Sequence, residues 1–227
     1  MGRGEVAVSS SSDFEIDLNI PAATMERMPR YLMQLYRFKT AGLTQVSSQM
    51  LGESLRIKDT QIRKDLSYFG VFGRARYGYN IDALIDAVEK ILGLNLQYKL
   101  AIVGFGRIGR ALTDYHGTEC HNFCVRWIFD VNPAVIGENV GGHVVQSLDR
   151  LEVCLQTDSV DIALITTPDD AALEVAQRLI QVGVHAIYNF TAAEIPHDAN
   201  VFVENAQIAF GLYKLAHRLA GQWPRKR

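Results

Sequence analysis

The chain has 227 residues, of which 48% are apolar and 21% charged, the composition of an ordinary globular protein with room for about one and a half domains. Its net charge of −2 is unevenly distributed: residues 25–80 carry ten basic and four acidic side chains, whereas residues 81–227 carry twelve basic and seventeen acidic ones. A positive excess confined to one segment indicates a polyanionic partner for that segment. A membrane-spanning helix is excluded, since no apolar run approaches the roughly 18 residues that one requires. Three cysteines without an apolar leader predict a reducing, cytoplasmic setting.

Three short helices are predicted after an N-terminal tail. Residues 1–20 are polar and acidic without periodicity and are expected to be disordered. A helical stripe predicts the first helix over residues 25–39, and its apolar members are Met28, Leu32, Leu35 and Tyr36. Two more helices are predicted over residues 47–55 and, after a tight turn, 59–69. Their expected N-caps are Ser47 or Ser48 and Asp59.

A hairpin is predicted over residues 70–80, "GVFGRARYGYN", because this stretch is rich in glycine and aromatic residues. Three short helices followed by a hairpin are typical of a winged helix-turn-helix. Residues 21–80 are therefore predicted to form a winged-helix DNA-binding domain.

The third helix has a face suited to DNA. At 100° per residue, Ile62, Leu66 and Phe69 share one buried face, so the polar residues between them point outward or sideways. Such side chains supply donors for guanine edges and phosphates, and basic residues of the hairpin can add phosphate or minor-groove contacts. The candidate DNA-binding residues are Ser47, Ser48, Thr60, Gln61, Arg63, Lys64, Ser67, Tyr68, Arg74 and Arg76. The alternative is a solvated face with ordinary charges, but the capped helix, the tight turn and the basic hairpin favour duplex DNA.

The rest of the chain has the pattern of an α/β domain. Residues 81–98 are predicted to form an amphipathic connector helix, stopped at Gly93, and a linker. Over residues 99–203 the strand candidates "KLAIVG", "CVRWIFD", "DIALITT" and "HAIYNF" alternate with the helix candidates "RALTDY" and "AALEVAQRLIQVG". This alternation predicts a Rossmann domain with a doubly wound parallel sheet. Residues 204–227 are predicted to be a dimerisation helix and a basic tail; the apolar stripe of that helix is Ile208, Leu212, Leu215 and Leu219.

A glycine loop at the start of this domain predicts a dinucleotide site. Gly104-x-Gly106-x-x-Gly109 follows an apolar strand, precedes a helix, and is followed about 20 residues later by Asp130 at the end of a strand. Asp130 is suited to the ribose hydroxyls and would repel a 2′-phosphate, so NAD(H) is favoured over NADP(H). The candidate residues of this loop and strand are Gly104, Phe105, Gly106, Arg107, Ile108, Gly109 and Asp130. The alternative is a glycine-rich turn with nothing bound.

An enzyme and a zinc protein are the competing interpretations. "GFGRIGR" also resembles the start of glyceraldehyde-phosphate dehydrogenase, but none of Cys120, Cys124 and Cys154 lies in a sequence like that family's nucleophile motif. The Cys120-His121-x-x-Cys124 cluster offers three metal ligands and no fourth, which favours structural residues. We expect no catalytic residue and no metal site, and we expect Asp169 and Asp170 to cap a helix.

Both halves together resemble one family, the redox-sensing transcriptional repressors called Rex. The resemblance covers residues from about 21 to 220 and is carried by "SSQMLG", "QIRKDLSYFG", "GYN", "ILGLN", "GFGRIGRAL", "FDVNP" and "ITTPDDAA". It implies a homodimer on a palindromic operator, one NAD(H) in each Rossmann domain, and a C-terminal helix swapped between subunits. It further implies that NADH favours release from DNA while NAD+ permits binding. By position, Arg63 and Lys64 should contact DNA, and Pro168, Asn189 and Phe190 should lie near the cofactor.

The chain departs from the family pattern at its redox switch. The family commonly uses an Arg in the first helix, a Tyr in the Rossmann domain and an Asp near the last helix. Here Met33 and Gln207 occupy the Arg and Asp positions, only Tyr115 remains, and Ile208 replaces an aromatic residue. Methionine and glutamine cannot form the ion pair, so the hypothesis is a repressor whose response to NADH is weakened or altered.

Overall fold

The protein is described by a computed structural model that covers residues 20–68, 73–74, 78–113, 122–206 and 208–222. The chain separates into two compact units between Leu96 and Gln97. The predicted disordered tail lies outside the described residues except for Ile20.

The described part of the N-terminal unit contains five helices and a small sheet. The helices are α1 (Ala22–Met25), α2 (Met28–Thr40), α3 (Ser48–Leu55), α4 (Asp59–Ser67) and α5 (Ile81–Ile91), and the strands are β1 (Gln45–Val46), β2 (Gly73–Arg74) and β3 (Gly78–Asn80). The strands pair antiparallel in the order β1-β3-β2. The predicted winged helix-turn-helix is thus confirmed, and β1 is a strand that the sequence pattern did not indicate. The first predicted helix, over residues 25–39, is α2, and Pro29 in its first turn suits a helix start. The short α1 before it was not predicted.

The core of this unit is built from the apolar faces of its helices. Met28, Leu32 and Leu35 of the predicted stripe are buried together with Ile62 and Leu66 of α4. The helix expected to be a connector, α5, contributes its whole apolar face to the same core, through Ile81, Leu84, Ile85 and Val88. The helix ends close to Gly93, whose φ of 72° lies in the left-handed region that glycine favours.

Two expected caps differ in the structure. Ser47 is the N-cap of α3, and its side chain accepts a hydrogen bond from the backbone N–H of Met50 at 3.0 Å, whereas Ser48 is the first helical residue. Asp59 is not a cap: Lys58 occupies that position, and the carboxylate of Asp59 pairs instead with Arg63 one turn along at 2.8 Å. Whether or not it caps the helix, an acidic side chain in the first turn interacts favourably with the helix dipole.

The described part of the C-terminal unit is a sheet of seven strands with helices on its faces. The strands are β4 (Tyr98–Val103), β5 (Phe123–Asp130), β6 (Asn139–Val140), β7 (His143–Ser147), β8 (Ile162–Ile165), β9 (Ala186–Asn189) and β10 (Phe202–Asn205). The helices are α6 (Arg107–Thr113), α7 (Leu151–Thr157), α8 (Asp169–Gln181) and α9 (Ile208–Gln222). The order is β10-β9-β8-β4-β5-β7-β6, parallel throughout except for β6. Without β6 this is the standard doubly wound order, so the predicted α/β fold is confirmed.

The sheet order places two loops side by side at the cofactor end. β4 pairs with both β5 and β8, and it is between β4 and β8 that the chain reverses its direction across the sheet. In sheets of this kind ligands bind at the carboxyl ends of the strands that flank this switch point. The loop after β4 and the loop after β8 therefore form the candidate ligand site.

Asp169 does not cap α8 as expected. Pro168 holds the N-cap position without a side-chain hydrogen bond, and the Asp169 carboxylate accepts a hydrogen bond from the backbone N–H of Ala192 at 2.8 Å. This bond ties the loop after β8 to the loop after β9. None of the described helices is long and apolar enough to cross a membrane.

Candidate DNA-binding face and dinucleotide site

The outward face of α4 is the candidate DNA-binding face. Thr60, Arg63, Lys64 and Ser67 are exposed, as expected, while Tyr68 is half-buried. The guanidinium of Arg63 pairs through Nη1 with Asp59 at 2.8 Å and donates to the hydroxyl of Ser48 at 3.3 Å. The side chains of Thr60 and Lys64 make no hydrogen bond or ion pair with any described residue, so both are available to a ligand.

Some predicted DNA-binding residues already form hydrogen bonds within the protein, and others lie outside the described residues. Gln61 turns inward, because its side-chain amide donates to the carboxylate of Asp65 at 2.8 Å. Ser67 donates to the Lys64 carbonyl oxygen, and the Ser47 hydroxyl is occupied as the cap of α3. The Arg74 side chain and the whole of Arg76 lie outside the described residues.

A buried carboxylate behind this face is the main feature that the sequence pattern missed. Asp65 lies on the inner side of α4 with no exposed surface. Arg27 donates two hydrogen bonds to its carboxylate in a bidentate arrangement, from Nε to Oδ2 at 2.6 Å and from Nη2 to Oδ1 at 2.7 Å. Tyr31 and Thr24 donate to it at 2.6 and 3.1 Å. We refer to Thr24, Arg27, Tyr31, Gln61 and Asp65 as the Asp65 cluster.

The ionisation of this cluster follows from its contacts. Burial alone would raise the pKa of Asp65, but the hydrogen bonds from Arg27, Tyr31, Gln61 and Thr24 outweigh it and hold the pKa below its ordinary value. Burial, with the bond to Asp65, raises the pKa of Tyr31, and the bond to Asp65 raises that of Arg27. Asp65 is therefore a charged group at neutral pH inside an apolar core.

The three glycines of the loop after β4 differ in what surrounds them. Gly104 has φ +101°, and a Cβ there would lie 2.8 Å from the backbone of Thr166. A Cβ on Gly109 would lie 2.1 Å from the carbonyl oxygen of Gly104, whereas a Cβ on Gly106 would meet nothing within 4 Å. The first glycine thus permits the turn, the third permits close packing of α6, and the second leaves open space above the loop, as a dinucleotide-binding loop requires.

Asp130 lies beside this loop at the end of β5. Its carboxylate accepts hydrogen bonds from the backbone N–H groups of Phe105 at 2.5 Å and Asn132 at 2.7 Å. A carboxylate has about four acceptor positions, so two remain for hydroxyl donors. Phe105 itself is buried, with the Arg110 guanidinium 4.3 Å from its ring centre, so a ligand can meet this residue only through its backbone. Arg107 and Ile108 are exposed.

The loop after β8 forms the other wall. Thr166 donates to the Gly104 carbonyl oxygen at 2.6 Å, which fixes the two loops against each other. The hydroxyl oxygen of Thr167 is, among the described residues, the buried side-chain polar atom that has no hydrogen-bond partner. Pro168 is exposed beside it. A buried hydroxyl without a partner beside a loop of this kind is typical of a site where a bound ligand or a small movement of the loop supplies the missing hydrogen bond.

Asn189 and Phe190 lie near this site in different ways. Phe190 is half-buried, and its backbone N–H donates to the Ile165 carbonyl oxygen at the end of β8. Asn189 is fully buried, and its amide donates to Ala193 and Asn205 while accepting two bonds from Thr191. All four of its hydrogen-bonding positions are used, so in this conformation Asn189 supports the loop rather than offering a group to a ligand.

The predicted switch residues and the competing metal cluster are only partly described. Met33 is half-buried in the middle of α2. Tyr115, Gln207 and the Ile208 side chain lie outside the described residues, as do Cys120 and His121. The hypothesis about the switch therefore stays a prediction.

The fold and the two sites together define a class of protein, a winged-helix DNA-binding unit joined to a Rossmann unit with a dinucleotide-type loop. Residues 19–67 match the family described as "Putative DNA-binding protein N-terminus", and residues 95–193 match the family described as "CoA binding domain".

Relatives that match nearly the whole chain identify its family. The redox-sensing transcriptional repressor Rex of Staphylococcus epidermidis is 37% identical over 88% of this chain and 94% of its own length. The corresponding protein of Staphylococcus aureus is 36% identical over 87% and 94%. The chain belongs to the Rex family, which confirms the resemblance found in its motifs.

Solved structures agree with this assignment. The crystal structure of RSP, a Rex-family repressor, in complex with beta-NAD+ and operator DNA has a TM-score of 0.85, 32% identity, and covers 89% of this chain and 94% of that chain. The complex of RSP with beta-NADH has a TM-score of 0.82, 30% identity, and covers 91% and 97%.

Proposed function

We propose that this protein is a DNA-binding transcriptional repressor that senses the NADH/NAD+ ratio. It binds a palindromic operator through the outward face of α4 and the hairpin, and it releases that operator when NADH binds the Rossmann unit. The observation that carries the proposal is the presence, in one chain, of an available basic face on α4 and a glycine loop with open space at Gly106. The solved complex of a Rex-family relative with beta-NAD+ and operator DNA supports the combination.

The residues around the loop after β4 fit NAD(H). Asp130 would accept hydrogen bonds from the adenosine ribose, and its negative charge disfavours a 2′-phosphate. The backbone of Gly104, Gly106 and Gly109 would let the pyrophosphate approach, with Pro168 and Phe190 near the nicotinamide end. The bound dinucleotide supplies a nicotinamide ring whose charge and shape depend on its redox state. In this function the ring is a signal, so we expect no hydride transfer to a substrate.

The active form is proposed to be a homodimer with exchanged C-terminal helices, located in the cytoplasm with the DNA that it binds. The support is the exposure of large apolar side chains on α9: Leu212, Leu215 and Leu219 on one side of the helix, and Phe210 and Tyr213 away from that side, are all more than half exposed. So large an exposed apolar surface is typical of an interface. The unit that bears it also contains an apolar cleft of about 560 Å³ lined by Leu100, Ile162, Leu164 and Tyr188.

Fluorescence anisotropy on a labelled palindromic duplex tests the proposal. The purified protein is titrated at fixed salt without cofactor, with NAD+ and with NADH, and the dimer is checked by light scattering. We expect tight binding without cofactor or with NAD+, and release with NADH. Absence of sequence-preferring DNA binding in all three conditions would contradict the proposal.

A weakened redox response is a second candidate, favoured by Met33. A methionine in the middle of α2 cannot take part in an ion pair, so under this candidate the chain would lack the two-state contact that its resemblance to the family implies. Under this candidate, the DNA affinities with NAD+ and with NADH differ by only a few-fold. A ratio of about a hundredfold or more, equivalent to roughly 2.7 kcal/mol, would exclude it.

A further inference from the structure

Recognition of DNA by α4 depends on the rotation of this helix about its own axis. Ile62 and Leu66 bury the same side of the helix and so oppose a large rotation, but apolar packing is non-directional and tolerates small ones. Successive residues are 100° apart, so a rotation by a fraction of that angle already displaces Lys64 on the outward face. Hydrogen bonds depend on angle as well as distance, so a group that makes several of them resists such a rotation.

Asp65 is bonded from several directions. Thr24 belongs to α1, Arg27 to the turn before α2, and Tyr31 to the first turns of α2. These three donors are 34 to 41 residues from Asp65 in sequence, and the bidentate bonds from Arg27 fix the plane of the carboxylate. Because its partners lie in three separate segments, the carboxylate cannot rotate with α4 without breaking several bonds together.

We propose that Asp65 is a positioning residue for operator recognition, which sets the rotation of α4 so that Arg63 and Lys64 face the DNA. The inference rests on the proposed DNA-binding function and adds a residue that does not itself touch DNA. Stability alone is a poor reason for such a cluster, since apolar replacement of a buried ion pair is often neutral or stabilising. A directional role accounts for a charged group at this position.

Two variants separate positioning from stability. Asp65→Asn keeps the shape of the side chain but places an amide donor among the donors of the cluster. A second variant, called all-apolar here, combines Thr24→Val, Arg27→Met, Tyr31→Phe and Asp65→Leu. It removes the buried and charged groups of the cluster together, leaves only the half-buried Gln61, and is expected to fold even where Asp65→Asn does not. Asp82→Asn is the matched control, because Asp82 is an exposed acid of the same unit paired with Lys39 at 2.8 Å.

The experiment compares specific with non-specific DNA binding. Each full-length protein is titrated by fluorescence anisotropy, at a temperature where circular dichroism shows it folded, onto the duplex that the wild-type chain selects from a random library and onto a scrambled duplex. We expect the all-apolar variant, and Asp65→Asn where it folds, to lose at least about tenfold in affinity for the selected duplex. Affinity for the scrambled duplex should stay within about twofold, because it depends on charge rather than on orientation.

The outcomes are distinguishable. If the folded all-apolar variant has the wild-type ratio of specific to scrambled affinity, the cluster is merely stabilising and the inference is wrong. A loss of specificity in Asp82→Asn equal to that in Asp65→Asn would also overturn it. A wild-type chain that prefers no duplex would contradict the proposed function itself, and this inference with it.

Discussion

The two units build their sites from different parts of the chain. In the N-terminal unit the candidate face consists of side chains on α4, held in place by hydrogen bonds to the side chain of Asp65. In the C-terminal unit the candidate site consists mainly of backbone, shaped by Gly104 and Gly109, which lie where a Cβ would collide with backbone, and by the open space at Gly106. The first site therefore depends on charge and ionisation, and the second on steric fit.

This difference decides which changes each site tolerates. A substitution on α4 can alter the affinity of the face without disturbing the fold, because Thr60 and Lys64 are exposed and contact no other described side chain through hydrogen bonds. A substitution at Gly104 or Gly109 disturbs both the ligand site and the packing, since the added atom meets backbone.

Gly109→Ala is expected to have the largest effect on cofactor binding. Its Cβ would lie 2.1 Å from the Gly104 carbonyl oxygen, so α6 must move away from the loop after β4. We expect a loss of about 1–3 kcal/mol in the free energy of unfolding, as for other overpacked sites, and a loss of NADH affinity of about a hundredfold or more. Thermal melting and a fluorescence titration with NADH measure the two effects.

Gly106→Ala is the matched control for this prediction. A Cβ at Gly106 meets no protein atom within 4 Å, so the melting temperature should stay unchanged while NADH affinity falls. If Gly106→Ala leaves NADH affinity unchanged, the open space above Gly106 is not where the pyrophosphate approaches.

Lys64→Ala is expected to weaken DNA binding without affecting the cofactor. The ammonium group of Lys64 is exposed and is proposed to face the operator, so its removal should reduce affinity about tenfold and lower the slope of log affinity against log salt by about 1. Anisotropy titrations at several salt concentrations measure both. Lys90→Ala, an exposed lysine of α5 in the same unit, should change neither; equal effects of the two variants would show that only net charge matters.

The sequence predicted the backbone-built site better than the side-chain cluster. Glycines spaced as Gly104, Gly106 and Gly109 are, directly after a buried strand, typical of a dinucleotide-binding loop. Asp130 follows about 20 residues later, at the sequence distance that is typical of the ribose-binding acid in this fold. The strands β6 and β7 were missed because their hairpin is short and polar and turns at Gly141 and Gly142, both with positive φ.

Asp65 was missed for a physical reason. In the third helix a charged residue between Ile62 and Leu66 looks like a boundary position, since buried charges are rare unless paired. Its main partners are 34 to 41 residues away, and no local pattern indicates which distant Arg and Tyr side chains will meet it. The one available signal was its position on the helix wheel: at 100° per residue Asp65 lies about 60° from Ile62, at the border of the buried face.

Acid should destabilise the N-terminal unit through Asp65. Because its folded pKa is lowered, Asp65 contributes stability that is present above its unfolded pKa of about 3.9 and is lost as the pH falls through its folded pKa. Between those two values the slope of the free energy of unfolding against pH has a contribution of about 1.4 kcal/mol per pH unit from this one proton. Urea unfolding from pH 5 to pH 2, followed by circular dichroism, should show this contribution in the wild type and not in Asp65→Asn. Identical slopes in the two proteins would contradict it.

Ser47→Ala is expected to have the smallest effect, and it tests whether this serine acts in the fold or on DNA. Its hydroxyl caps α3 by accepting from the Met50 N–H, so its loss should reduce the free energy of unfolding by about 1 kcal/mol. Ser48→Ala is the control, since Ser48 caps nothing and only accepts a long bond from Arg63. If Ser47→Ala melts like Ser48→Ala but binds the operator more weakly, Ser47 acts on DNA. If it melts at a lower temperature and binds normally once folded, the cap is its whole role, and even the side-chain-built unit has positions where a polar group near the DNA-binding face serves only the backbone.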